Sequence, residues 1–379
     1  MYSDLLNYFQ SHQAETLDLI RGLVETESPS FDEQGSREIV TLIEDEARKL
    51  KCVNSIEKHY VAGVGEHLLI RAFGEAEKSL LLLGHTDTVH LRGSLAERPF
   101  TIDGDKVFAP GIFDMKAGVA LMLETLKALE SLDLTPSLPI TILLSCDEEV
   151  GSHSGREFVE REALKAKVCF VIEPSAPVGR VKTGRKGTGM FTLKAHGIPS
   201  HAGLEPQRGA SAILELSRQI IKVHELNDYE KGTTANVCTI EGGTASNVIP
   251  AEAECEIDVR FSTMSEAQRI EQTIRNLQSF DERVSLELLG EINRPPMERT
   301  EKVVELYQKA KNLAAQFGYE LGEAQVGGAS DGNFVGALGV PLLDGLGVAG
   351  DGAHTNHEYI FASDIPKRAA LISSLLLAE

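Results

Sequence analysis

The sequence predicts an α/β protein: a mostly parallel sheet flanked by helices, interrupted by a smaller inserted module of ferredoxin-like βαββαβ order. Three observations carry this. Short, nearly unbroken apolar runs at Leu80–Leu83, Ile140–Ser145 and Val168–Ile172 have the signature of strands buried on both faces, and they alternate with helical patterns. From about Gly189 the texture changes to longer strands of alternating polarity. After Pro295 and Pro296 the buried-strand and helical texture returns.

Taken in order, Lys116–Ser131 places Val119, Met122, Leu123, Leu126 and Leu129 at helical spacing between two of the apolar runs. Strand, helix, strand in this order implies parallel strands covered by helices. In the middle region, strands at Met190–His196, Asn236–Glu241, Ala253–Phe261 and Val284–Leu289 are interleaved with amphipathic helices at Ala210–Glu225 and Ser265–Phe280, which gives the βαββαβ order. The chain closes in a helix expected to be capped near Ser363, with Pro366 in its first turn. At 379 residues the chain exceeds what one core supports, so two domains are expected: 1–182 with 293–379, and an inserted 183–292.

Composition narrows the function. Asp and Glu number 57 against 37 Lys and Arg, a formal charge of -20 with no basic patch, which argues against nucleic-acid or anionic-membrane partners. Cys52, Cys146, Cys169, Cys238 and Cys255 are odd in number, lack paired spacing and mostly lie in apolar strand-like runs, so they read as reduced, buried thiols of a cytoplasmic protein. The segment Met1–Gln13 is polar and acidic, unlike a secretory leader, and no apolar run reaches the roughly 18 residues that span a bilayer.

Metal-ligand residue types recur where apolar runs give way to turns. His85 and Asp87 follow the first buried strand two residues apart, on one side of it. An imidazole that binds zinc usually gives its other N–H to a carboxylate, the job Asp87 is placed for; an ordinary strand-end hydrogen bond is the alternative. Asp114 sits at a loop-to-helix junction, where simple capping would also explain it. Asp147, Glu148 and Glu149 crowd three carboxylates at the end of the second strand, which calls for solvent or a cation. Glu173 follows the third strand, and His354 lies in a Gly-rich loop. Open α/β sheets build their sites at the strand ends where these residues fall. Two imidazoles and three carboxylates suit zinc with open coordination positions, and one of the adjacent pair Glu148 and Glu149 is then left to act as a base.

These residues fall in Gly84-His85-Thr86-Asp87, Gly111–Lys116, Asp147–Ser152, Glu173-Pro174-Ser175, Ser200-His201-Ala202-Gly203, Asn247-Val248-Ile249-Pro250 and His354 with Glu358-Tyr359. As an ordered set running nearly end to end, they resemble the dizinc amidohydrolase and peptidase family of aminoacylase, acetylornithine deacetylase, succinyl-diaminopimelate desuccinylase and glutamate carboxypeptidase, closest to the carboxypeptidase G type branch. The resemblance implies two divalent ions, zinc with cobalt or manganese as alternatives. It implies that Asp114 bridges them, His85 and Glu173 complete one, Glu149 and His354 complete the other, and Glu148 is the general base. It also implies that the inserted module is a lid and dimerisation domain whose His201 stabilises the oxyanion, within a subunit or across a homodimer. Glutamate at 173 is the variant of the carboxypeptidase-like branch. Ser211 departs from the asparagine relatives commonly carry.

The expected reaction is hydrolysis of an amide bond next to a free C-terminal carboxylate of a small peptide, with an N-acyl amino acid deacylase as the alternative. Arg294 and Arg260 are the residues suited to grip that carboxylate, against the alternative of ordinary salt bridges. By the resemblance, Asn247 and the turn containing Gly328 offer further donors. Gly184, Gly187 and Gly189 precede a strand rather than a helix and read as hinge and turn glycines, not a phosphate loop. His357, three residues after His354, reads as an exposed loop histidine. Two remote readings stay open: a serine hydrolase built on Gly328-Ala329-Ser330-Asp331-Gly332, and a non-catalytic metal-binding homologue, which the presence of Glu148 disfavours.

Overall fold

The computed structural model describes residues 2–379 and divides into two compact units. The first comprises the chain up to Gly184, Arg299–Val326 and Ser330–Glu379; the second comprises Arg185–Glu298 and Gly327–Ala329. Each has its own apolar core.

In the first unit, helices α1 (Tyr2–Ser11), α2 (Gln13–Glu25) and α3 (Glu33–Ala47) precede a six-stranded sheet. Its labelled strands are β1 (Val53–Val61), β2 (Gly65–Ala72), β3 (Ser79–His85), β4 (Ile140–Ser145) and β5 (Ala166–Val171), and Leu342–Leu343 completes it in the order β1-β2-β4-β3-β5-Leu342–Leu343. β3 runs parallel to both β4 and β5, and Leu342–Leu343 runs parallel to β5. The hairpin β1–β2 adds an antiparallel edge, which the apolar runs did not signal because β1 is largely exposed. All residues of β3 and β4 are buried, as their unbroken apolar sequences require of a sheet covered on both faces. Helix α4 (Ala117–Ser131), between β3 and β4, is buried nearly all round. Among the described residues no helix is long and apolar enough to cross a membrane.

The second unit is an antiparallel four-stranded sheet of β6 (Gly187–His196), β7 (Thr234–Gly242), β8 (Glu252–Phe261) and β9 (Ser285–Arg294), in the order β7-β8-β6-β9. With α5 (Ala212–His224) after β6 and α6 (Met264–Arg275) after β8 this is the βαββαβ order. Along β8 alternate residues Ala253, Cys255, Ile257, Val259 and Phe261 enter the core while Glu252, Glu254 and Glu256 face out, the period of two that the sequence displays. Ser211 caps α5, accepting from Leu214 N at 3.1 Å, so the residue that departs from the family's asparagine has a local role.

The last helix, α7 (Ile365–Ala378), takes Asp364 as its cap residue, next to Ser363, whose amide and hydroxyl donate to Asp105 at 2.7 and 2.6 Å, and has Pro366 in its first turn. Two expectations are corrected. Cys238 is exposed, because Ala235 and Val237 take the inward positions of β7 and the next residue points away from the core. Gly187 is a packing glycine within β6, since a Cβ there would lie 2.2 Å from the Phe261 ring.

Candidate metal centre

Parallel strands leave their carboxyl ends at one edge, and this is where the acidic and imidazole side chains gather. His85 is the last residue of β3, Glu148 and Glu149 start the turn Glu148–Val150 after β4, and Glu173 lies two residues beyond β5. Asp114 comes from the turn Ile112–Lys116 that leads into α4, and His354 from the loop after Gly350–Asp351.

The two oxygens of Asp114 face two different imidazoles. His85 Nε2 is 3.3 Å from Asp114 Oδ1 and 3.4 Å from Glu173 Oε1, while His354 Nε2 is 3.4 Å from Asp114 Oδ2 and 3.0 Å from Glu149 Oε2. Glu148 joins the cluster from the other side: ligand atoms of His85, Glu148 and Glu173 lie within 4.8 Å of one another, as do those of His85, Asp114 and Glu149. His85, Glu148 and Glu173 are buried; the His354 side chain is half exposed. His354 adopts a left-handed φ of 63°, a conformation that costs a non-glycine residue about 1–3 kcal/mol and that turns its ring toward Asp114 and Glu149.

Electrostatics mark the cluster as a cation site. Asp114 and Glu149, which accept hydrogen bonds from the imidazole, raise His354 to about 10. Burial opposes protonation of His85, yet Asp114, Asp87 and Glu173 outweigh it and raise that imidazole well above its ordinary value. Burial also pushes against ionised Asp114, but His354 and His85 together hold it well below the usual carboxylate range. Glu149 is pushed up to about 7 by burial, and its Oε1 is buried with no hydrogen-bond partner. Carboxylates that stabilise positive charge on two imidazoles this strongly, with an orphaned carboxylate oxygen among them, fit divalent cations held by imidazole and carboxylate.

The model of peptidase family M20/M25/M40 matches residues 81–378. The chain belongs to this family. It is 31% identical to carboxypeptidase G2 of Pseudomonas sp. (strain RS-16) over 376 residues, covering 96% of this chain and 89% of that protein. It is 30% identical to succinyl-diaminopimelate desuccinylase of Verminephrobacter eiseniae over 312 residues, 76% of each. Among solved structures, aminopeptidase PepT from Bacillus cereus superposes with a TM-score of 0.76 at 22% identity, covering 97% of this chain and 99% of that one, a likeness of fold. The chain is therefore an enzyme, a metallopeptidase-type hydrolase of the M20 family, and it shares the mixed α/β fold of that family.

Hydrogen bonds tie the cluster to the residues around it. His85 Nδ1 lies 3.0 Å from the Asp87 backbone carbonyl and 3.4 Å from its carboxylate Oδ1, so the carbonyl, rather than the expected carboxylate, is the nearer partner. The Asp87 carboxylate accepts from Glu148 N (3.1 Å), Glu149 N (3.2 Å) and the Ser30 hydroxyl (2.7 Å), which ties the β3 end to the glutamate turn. Glu358, to which sequence reasoning gave no role, accepts from Gly111 N, Phe113 N and Asp114 N at 2.8–2.9 Å and lies 2.6 Å from His90 Nε2. Its one readable signal was a charged side chain beside a ligand loop. Asp114 is not the cap of α4, since that position falls to Lys116. His357 is exposed and turns to Thr355 at 3.2 Å.

Five of the predicted residues belong to the second unit. In the His201 ring, Nδ1 accepts from Gly203 N (3.1 Å) and Leu204 N (3.2 Å), which leaves the proton of the neutral ring on Nε2. The Asn247 carbonyl accepts from Ala202 N at 2.9 Å, and the Gly328 carbonyl from Arg185 Nη1 at 3.3 Å. Arg294 ends β9 and is buried. Arg260 instead grips Asp258 on its own strand through Nε and Nη2 at 2.8–3.1 Å, the salt-bridge alternative. The serine-hydrolase reading fails: Ser330 is fully buried and donates to Asp344 Oδ2 at 2.8 Å, while His354 faces Asp114 and Glu149.

Proposed function

We propose that this enzyme is a glutamate carboxypeptidase-like exopeptidase that hydrolyses the amide bond next to a free C-terminal carboxylate. The observation that carries this reading is the convergence of His85, Asp114, Glu149, Glu173 and His354 with Glu148 beside them, in a chain similar over 96% of its length to carboxypeptidase G2. His85 and Glu173 would hold one divalent ion, Glu149 and His354 a second, with Asp114 between; zinc suits this donor set, and cobalt and manganese are the alternatives. When bound, the ions supply Lewis acidity to the scissile carbonyl and acidify water at the site.

The chain's own groups do the rest. Glu148 takes a proton from the attacking water and returns it to the departing amine nitrogen, the work of a buried carboxylate not committed to a cation. Asp87 orients His85 and holds the backbone of Glu148 and Glu149. His201, its proton on Nε2, donates to the oxyanion of the tetrahedral intermediate. Arg294 holds the substrate carboxylate, with Asn247 and Gly328 offering further polar contacts; Arg260, engaged by Asp258, is the weaker choice. The second unit, with these residues, serves as a lid. It also offers a dimer face: Ile213, Leu214 and Ile221 of α5 and Ile240 of the edge strand β7 are exposed apolar side chains, suited to a second copy. Four cysteines that are at least partly buried, with no disulfide, agree with a cytoplasmic protein.

The test is an amide panel comparing acyl-glutamates and dipeptides with N-acetyl amino acids. Preference for the first group supports the carboxypeptidase reading; turnover confined to N-acetyl amino acids would replace it with a deacylase.

A further inference from the structure

The turn that carries Glu148 and Glu149 rests on a buried polar chain outside the ligand set. His67, on the antiparallel strand β2, has no solvent exposure. Its Nδ1 accepts from Cys146 N at 3.2 Å, so the proton of the neutral ring sits on Nε2 and is donated to Ser154 Oγ at 2.9 Å. Burial lowers the pKa of this imidazole despite the carboxylates around it, which keeps it neutral. Ser154 passes the polarity on: its hydroxyl donates to Asp147 Oδ2 at 2.9 Å, and its amide donates to the same oxygen at 2.7 Å. Asp147 immediately precedes the two glutamates, and its backbone carbonyl accepts from Ser152 N at 2.8 Å, closing the turn.

The other side of Asp147 is shaped to match. Its Oδ1 is buried without a hydrogen-bond partner and faces Gly155, where a Cβ would lie 2.8 Å from that oxygen and 3.4 Å from His67 Cε1. A buried carboxylate with one oxygen unsatisfied is costly, and among the described residues its other oxygen takes its hydrogen bonds from the Ser154 amide and from the Ser154 hydroxyl that His67 orients. Asp87 fixes the amides of Glu148 and Glu149 from one direction, while His67 and Ser154 fix the residue before them from another. The backbone from which the Glu148 carboxylate projects is thus held on both sides.

We infer that His67, acting through Ser154 and Asp147, is a positioning residue that sets the direction of the Glu148 carboxylate. This rests on Glu148 being the general base. Loss of an outer contact that orients a working group typically costs about 10–100-fold. His67→Leu removes the donor; His67→Gln keeps an N–H with reach toward Ser154. Ser154→Ala removes the hydroxyl link while leaving the amide bond to Asp147.

The experiment measures kcat, KM, metal content per chain and Tm for the three variants, with turnover expressed per metal-loaded chain. The expected result is a kcat at least tenfold lower in His67→Leu and Ser154→Ala, with KM within about twofold, native metal content, and most of the loss recovered in His67→Gln. A role confined to stability would lower Tm and leave turnover per metal-loaded chain intact. That outcome, or a His67→Gln variant no better than His67→Leu, overturns the inference; should His67→Leu not fold, Ser154→Ala decides. Glu148→Gln is run alongside. If it keeps turnover, the base assignment itself is wrong, whereas its inactivation with normal turnover in Ser154→Ala refutes only the part assigned to His67.

Discussion

Lowering the pH should strip cations from the cluster, and the size of the effect follows from the groups that hold protons in their place. Without a cation, His354 keeps its proton up to about pH 10 and Glu149 up to about 7. A ligand must be deprotonated to bind a metal, so each raised pKa makes the proton a competitor below that value. The sign is therefore fixed: affinity falls as pH falls. From pH 8 to pH 6 the His354 proton costs about 100-fold; ionised Glu149 is itself one of the groups that raises His354, so its own proton adds less than a further tenfold. The half exposure of His354 weakens its share through solvent screening, while His85, also held above its ordinary value, adds to it; a loss of at least ~10²-fold is expected. The assay is calorimetric titration of chelator-treated enzyme with zinc at pH 6, 7 and 8, in buffers of different ionisation enthalpy to count released protons. Affinity unchanged within about threefold over that range, with no proton release, would refute the assignment of these residues as ligands.

Three further outcomes are expected. Glu148→Gln should retain native metal content and lose about 10²–10⁴-fold in turnover, because an amide cannot take a proton from water; near-full turnover there, with Glu149→Gln keeping both metals, would exchange the two roles. His201→Ala should lower turnover by about 10²–10³-fold at unchanged metal content, and heterodimers with Glu148→Gln should regain activity if His201 works across a dimer, which subunit mixing measures directly. Glu358→Gln replaces a buried carboxylate that accepts from three backbone amides of the Asp114 loop, so metal retention under dialysis should weaken about 10–100-fold while the far-UV spectrum stays native.

The alternation of unbroken apolar runs with a helical pattern determined the large sheet, because strands buried on both faces have no polar side to show. β4 is observed at Ile140–Ser145, where its apolar run predicts it, and β3 and β5 agree within two residues of theirs. The period of two likewise exposed the βαββαβ module. The ordered motifs around His85, Asp114, Glu149, Glu173 and His354 identified the family before any distance was known. Each of these residues sits in or next to a turn that follows a strand or leads into a helix, and local order is what a sequence records.

Contacts between distant segments were decided only by the tertiary structure. Glu358 reaches the Asp114 loop from more than 240 residues away, and His67 meets Ser154 across 87. Glu358 falls within the ordered motifs and His67 does not, yet in neither stretch does the local sequence name the partner. The same holds for Asp114, which faces two imidazoles instead of capping a helix. Period and spacing report which face of an element a side chain takes. A hydrogen-bond partner is chosen by whichever chain segment the packed core brings opposite, and that choice has no local signature.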